Sequence, residues 1–359
     1  MDEELGQIPG GPPIAAPSPE DPAARRVPRP LVETVLPIAV VAIIVLLLPL
    51  FIPSFVSSLV TKMMIFGLFG MSLNLIWGYA NIPSFGHAAF FGTGAYTAAV
   101  LVTKVGLSSF WLSLLLAIIV TAAVAAILGV PAFRVFGVGA GAANPIYFLL
   151  ATIAFGELLS RMAVSLRPVT GGTTGLSGIP EAAIGFGAKT NPEQYYYLVF
   201  VIGAVCLFLM YRIVNSHYGY GLRGIHDNER RMQALGYNTW LYKYTSWIVA
   251  AVFGGVAGVL FAYFGSTLVP NNLAMVTSDI SFLLVILGGT TVFFGPLVAA
   301  VFYVGVEYVA SVYMPQRWPL LFGAMFVIAI MMIPWTKGRY QGLGPEVLRL
   351  WKKVSGGAA

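Results

Sequence analysis

Charge is what this sequence has least of. Only 9% of its 359 residues are Asp, Glu, Lys or Arg, against roughly a quarter in a soluble domain. So few charges cannot clothe a water-facing surface. The single cysteine, Cys206, lies inside an apolar run. It excludes a disulfide within the chain and a cysteine-built metal cluster, and it reads as a small buried side chain. The three histidines, His87, His217 and His226, lack metal-ligand spacing. A phosphate-cradling loop needs Gly-x-x-x-x-Gly-Lys-Ser/Thr. The nearest approach, Ala188-Lys189-Thr190, lacks the glycine before the lysine, so no ATPase site is expected. No Gly-x-Ser-x-Gly elbow is present, and no catalytic cluster converges, which argues against an enzyme. Internal repeats and coiled-coil heptads are missing too. No apolar stretch begins near Met1, so a cleavable signal peptide is not expected.

What is abundant is apolar surface. Hydrophobic residues make up 58% of the chain, with 40 glycines that suit close helix packing. A spanning helix needs about 20 mostly apolar residues. Such windows lie near 35–52, 55–79, 86–104, 109–130, 145–166, 195–213, 244–264, 280–294, 295–312 and 318–335. The expected fold is therefore an all-α polytopic membrane protein of about ten transmembrane helices, with a broken or re-entrant segment near residues 80–90. The eighth and ninth windows are short and meet at Gly295-Pro296, so they also read as one interrupted helix pair. Residues 1–34, rich in Pro and Ala, read as a disordered cytoplasmic tail. Residues 35–335 form the membrane domain, and 336–359 a second cytoplasmic tail.

The net charge of +6 follows the positive-inside rule better than it follows nucleic-acid binding. With both termini inside, only Lys62, Lys104, Arg161, Arg167, Lys189 and Arg317 of the 20 basic residues fall outside. That orientation makes 167–194 a periplasmic loop and 215–243 a cytoplasmic one.

Several segments stand out. Gly78–Tyr96 breaks two apolar runs with Pro83 and Gly86 and carries Ser84 and His87. It fits a broken helix whose amides face a substrate path, and equally a tight cytoplasmic turn with packing glycines. His87 alone reads as a hydrogen-bonded structural residue. Asn74, Glu157 and Glu307 place polar groups inside spans, where they are costly and usually paired or functional. Glu157 has Arg161 one turn on, an ion pair along one helix face. Glu307 has no local partner. The outer stretch Arg167–Pro180 presents four glycines and four hydroxyl side chains, with Thr170, Gly171 and Gly172 at its start. It fits a ligand or docking surface, or a plain flexible loop. The inner stretch carries Arg223, Asp227, Asn228 and Glu229, then Ala234-Leu235-Gly236. It fits a surface helix that receives motion from a separate motor, or an ordinary amphipathic connector.

Together, these segments resemble the permeases of branched-chain amino acid ABC importers, specifically the LivM-type subunit. The resemblance rests on Gly78–Tyr96, on Tyr147–Pro180 with its Thr-Gly-Gly-x-x-Gly-Leu-x-Gly-Ile-Pro pattern, on Gly219–Lys243, and on Leu287-Gly288-Gly289 through Gly295-Pro296. It runs from about residue 60 to 345. It implies a transport subunit without cofactor, ATP being bound by partner subunits. Those partners are a second permease in a heterodimer, two cytoplasmic ATPases and a periplasmic substrate-binding protein. The setting is the bacterial inner membrane, in contact with lipid. The resemblance makes Arg223, Asp227, Asn228, Glu229, Ala234, Leu235 and Gly236 the ATPase-coupling segment. Asn81, Pro83 and the stretch Thr290–Phe294 depart from the commonest pattern, leaving a urea, short-chain amide or other amino-acid importer as the alternative. A secondary transporter, coupling ions through Glu157, Glu307 and His87, is the reading from a different class.

Overall fold

The structure, a computed structural model, describes residues 43–107, 109–135, 145–183, 191–290, 292–314 and 318–336. Of the expected tails, 1–34 lies outside the described residues, as does 336–359 apart from Thr336. The chain divides into two units, one ending at Phe51 and one starting at Ile52. Of the first, residues 43–47 are helical and Leu48–Leu50 form a 3-10 turn.

The second unit is built of helices: α1 (Ser54–Ala80), α2 (Ala88–Thr103), α3 (Phe110–Val135), α4 (Pro145–Ser165), α5 (Pro192–Val214), α6 (His217–Ala234), α7 (Thr239–Gly265), α8 (Met275–Gly288), α9 (Gly295–Tyr313) and α10 (Trp318–Thr336). Among the described residues, seven stretches are long and apolar enough to cross a membrane: α1, α4, α5, α7 and α9, most of α3, and Pro270–Gly288, which contains α8. α2 is apolar but shorter. The chain is thus an all-α polytopic membrane protein. Of the first expected span, 35–52, only the part from residue 43 onward is described.

Helix ends follow local chemistry. α5 opens on Asn191 with a capping box to Gln194 and a proline in the first turn. α7 starts at Thr239, several residues before its expected start, because Asn238 Oδ1 accepts the Leu241 amide at 3.1 Å. α8 begins at Met275, not 280, and ends at Gly288. Its first turns carry Thr277, Ser278 and Asp279, which lowered the hydropathy there. The doubt over 280–312 resolves into two helices joined by 289–294, with Gly288 and Gly295 back to back.

α1, α2 and α7 form the centre, with α3 against α2 and α7, α5 against α1, and the α8–α9 pair against α1. Glycine sets the closest crossing. A Cβ on Gly94 of α2 would lie 2.2 Å from the Gly255 carbonyl oxygen, and one on Gly258 of α7 would lie 1.8 Å from that of Phe91. The two backbones touch, as in membrane helix pairs driven by packing. At one end, β1 (Leu176–Ser177) pairs antiparallel with β2 (Thr267–Leu268), and the Ile179 amide donates to the Ser266 carbonyl. The Thr170–Ile179 stretch is therefore a tethered cap on α7.

Candidate functional site

The break between α1 and α2 is real. Asn81 ends α1 in the left-handed region at φ 56°, and 81–87 are non-helical. Most of the link, Asn81 excepted, is buried or half-buried in protein, the condition for irregular backbone at membrane depth. An added Cβ on Gly86 would lie 2.0 Å from the Thr152 carbonyl oxygen of α4. Ser84 and His87 are fully buried. The Ser72 hydroxyl donates to the Phe69 carbonyl at 2.7 Å and sits 2.8 Å from His87 Nε2. Its one proton being spent, Ser72 accepts from the imidazole N–H. The His87 ring also stacks on Phe69 at 5.7 Å. The first amides of α2 are taken: Ala88 N–H donates to Ser278 Oγ at 2.8 Å, Ala89 to Gly86 and Phe90 to His87. The segment is a packed joint between α1, α2, α4 and α8. Its amides face protein, which is the packing-turn reading rather than the amide-cradle one.

The other in-span polar residues separate into two groups. Asn74, 1% exposed, donates to the Val292 carbonyl at 3.3 Å and ties α1 to the α8–α9 link. Glu307 of α9 pairs with Lys62 of α1 at 2.9 Å, a cross-helix partner invisible in local sequence. Glu157 pairs with Arg161 at 3.0 Å on an open face of α4, as the i, i+4 spacing predicted. Thr170 is buried and donates its hydroxyl to the Ala163 carbonyl, closing the turn at the end of α4. Gly171 and Gly172 follow at φ 78° and 66°. This corner is an ordered cap held by side-chain bonds. Asp279 of α8, outside the expected span, is an in-span carboxylate that hydropathy missed.

The 215–243 segment contains one helical element with a bend. α6 runs His217–Ala234, but Asn228 leaves helical geometry at φ −160°. Its Oδ1 accepts the Arg231 amide at 3.0 Å and caps a second short helical piece. Glu229 receives the Lys243 ammonium of α7 at 2.7 Å. Arg223 lies over the Tyr79 and Tyr220 rings at 5.3 and 5.4 Å. Tyr218 stacks on Tyr242 at 5.2 Å, and burial raises its phenol above its ordinary pKa despite the Thr245 hydrogen bond. α6 is thus clamped to the ends of α1 and α7. Asp227, Asn228, Ala234, Leu235 and Gly236 remain exposed, Leu235 by 67%. Of the seven residues assigned here from sequence, Arg223 and Glu229 brace the element and these five present it to solvent. No cluster of three or more potential metal ligands occurs among the described residues.

Comparison with known proteins follows this geometry. Residues 55–333 match the family described as branched-chain amino acid transport system / permease component. The chain is 29% identical over 321 residues to the high-affinity branched-chain amino acid transport system permease protein LivM of Salmonella typhimurium, covering 83% of this chain and 72% of that one. It is 28% identical to the Escherichia coli protein of the same name, with the same coverage. A probable branched-chain amino acid transport permease protein LivM of Methanocaldococcus jannaschii is 23% identical, over 70% of this chain and 81% of that one. No solved structure matches. The matched family spans α1 to α10 almost entirely, so the chain belongs to the permease components of branched-chain amino acid transport systems.

Proposed function

We propose that this chain forms one side of the path in an ATP-driven importer of branched-chain amino acids. It works with a second, different permease, two cytoplasmic ATPases that bind the ATP, and a periplasmic binding protein. The chain itself carries out no chemistry. It sits in the inner membrane with both termini in the cytoplasm, crossing about ten times. The observation that carries the reading is the braced, bent α6. Its exposed end, Ala234 to Gly236, with the exposed Asp227 and Asn228 at the bend, stands on a base locked to α1 and α7 by Arg223, Tyr218 and the Glu229–Lys243 pair. A lever needs such a rigid base and a free tip. When the ATPases close they draw the α6 tips together and open the outer side. Hydrolysis releases the tips and opens the inner side. Two of the in-span carboxylates, Glu307 and Glu157, are already paired on Lys62 and Arg161, which favours this coupling over an ion-driven one.

The test is cysteine labelling at position 228. Cys206 is buried, so a C206S, N228C chain carries one accessible thiol. An impermeant maleimide reaches it from the cytoplasmic side alone. Labelling solely from the periplasm, or uphill uptake by this chain without ATPases, sinks the proposal.

A further inference from the structure

Asp279 is the in-span charge that the helix packing leaves unanswered. It lies one turn into α8, within a stretch apolar enough to span a membrane. Its carboxylate has neither ion pair nor hydrogen bond among the described residues. The hydroxyls beside it are committed. Thr277 donates to the Asn271 carbonyl, Ser281 to that of Ser278, and Ser278 accepts the Ala88 amide. Glu157 and Glu307 each hold a cation, and Asp279 does not. A carboxylate at such a depth is costly unless something cationic or wet meets it.

The same face of α8 supplies a second feature. Phe282 lies three residues on, one turn deeper and on the same side of the helix. It stacks with Trp77 of α1 at 4.2 Å and with Phe85 of the α1–α2 link at 4.0 Å. Phe326 of α10 continues the row at 6.1 Å. These rings are only partly buried, and Val276, one turn the other way, is 65% exposed. An anionic group thus stands beside an apolar, polarisable wall on an open helix face.

We infer that Asp279 and the Trp77–Phe282–Phe85 stack form a recognition station for a small ligand with an ammonium group and an aliphatic tail. The ammonium pairs with the Asp279 carboxylate, and the tail lies along the ring edges. The inference rests on the importer reading and assigns residues to the recognition of the amino acid. Urea and simple amides have no cation to offer Asp279 and no tail for the wall.

The experiment uses the complete transporter in proteoliposomes with its receptor and radiolabelled leucine. D279N, D279E and F282A are each compared with the parent for assembly, receptor-stimulated ATP hydrolysis and uptake. D279N is expected to lose about tenfold or more in uptake while assembly and stimulated hydrolysis stay near the parent level. D279E recovers part of the uptake, because the charge is restored with a longer arm. F282A raises the substrate concentration needed for half-maximal uptake several-fold. Uptake by D279N equal to the parent overturns the inference. So does failure of D279N to assemble with the other subunits, which would give the carboxylate to subunit packing. A parent complex that takes up no leucine with ATP overturns the importer reading itself, and is distinguishable from a working parent matched by D279N.

Discussion

The Lys62 ammonium stands 2.9 Å from each carboxylate oxygen of Glu307, although 245 residues separate them. The pair joins α1 to α9 inside two apolar helices. Its side chains keep 27% and 23% of their exposure, so solvent screens it only in part. Removing one partner strands the other charge at membrane depth. E307Q and K62M should each cost about 2 kcal/mol, less than a fully buried pair would. Thermal melting in detergent reads this directly. The swapped pair K62E/E307K should recover most of the loss, since the geometry is two-sided. Equal melting of E307Q and the parent would mean that the pair contributes nothing.

A second prediction concerns the contact of α2 with α7. A methyl on Gly258 would meet the Phe91 carbonyl at 1.8 Å. Backbone cannot give way as a side-chain tip can, so G258A must push the two central helices apart. It should abolish accumulation of folded protein, measured by size-exclusion fluorescence. Gly203 of α5 has nothing within 4 Å of a Cβ. G203A should therefore be neutral or slightly stabilising, because alanine favours helix by about 1 kcal/mol. Parallel behaviour of the two variants would contradict the backbone contact.

These two contacts show which parts of the molecule local sequence carries. Apolar windows gave the helices, since each must satisfy its own backbone in lipid. The Glu157–Arg161 pair was legible because helical spacing brings i and i+4 together. The partner of Glu307 was not, because no spacing rule links residues on α1 and α9. The Gly78–Tyr96 segment fitted a path-lining break and a packing turn equally, while His87 alone read as structural. Its bond to Ser72 and its stacking on Phe69 place it in the core. Asp279 escaped because hydropathy averages over a window, and its polar neighbours Thr277 and Ser278 moved the apparent helix start past it. The 215–243 segment was legible as a polar interruption. Its bend at Asn228 depends on a cap that composition does not announce.

The brace beneath the α6 tip yields a third prediction. Lys243 is 7% exposed at its side chain, and its ammonium meets Glu229 at 2.7 Å. E229A leaves that ammonium buried and unanswered, at a cost of about 3 kcal/mol. The loss falls on the attachment of the second half of α6 to α7. Arg230 and Arg231 are exposed there, so trypsin added to inside-out vesicles should cut E229A faster than the parent. Moderate salt should leave the parent rate unchanged, because a largely buried pair is weakly screened. A parent-like cutting rate for E229A would detach the pair from the brace.

Gly236 is the sharpest test of the lever. It follows α6 at φ 86°, with its amide donating to the Gln233 carbonyl at 2.9 Å and the next amide, of Tyr237, to Met232 at 3.1 Å. That crossed pair of bonds is the Schellman ending of a helix, which asks for a left-handed residue. Nothing lies within 4 Å of a Cβ placed there, so a substitution is opposed by backbone angle and not by crowding. Asparagine tolerates the left-handed region best after glycine, alanine pays about 1 kcal/mol, and proline both fixes φ near −65° and deletes the amide. Coupling should therefore fall in the order Gly, Asn, Ala, Pro. In reconstituted transporters the ratio of amino acid taken up to ATP hydrolysed should drop modestly in G236A and collapse in G236P, while the amount of inserted chain stays constant. A series ranked instead by side-chain size, with asparagine worse than alanine, would show that contact with the ATPase and not the helix ending sets the coupling.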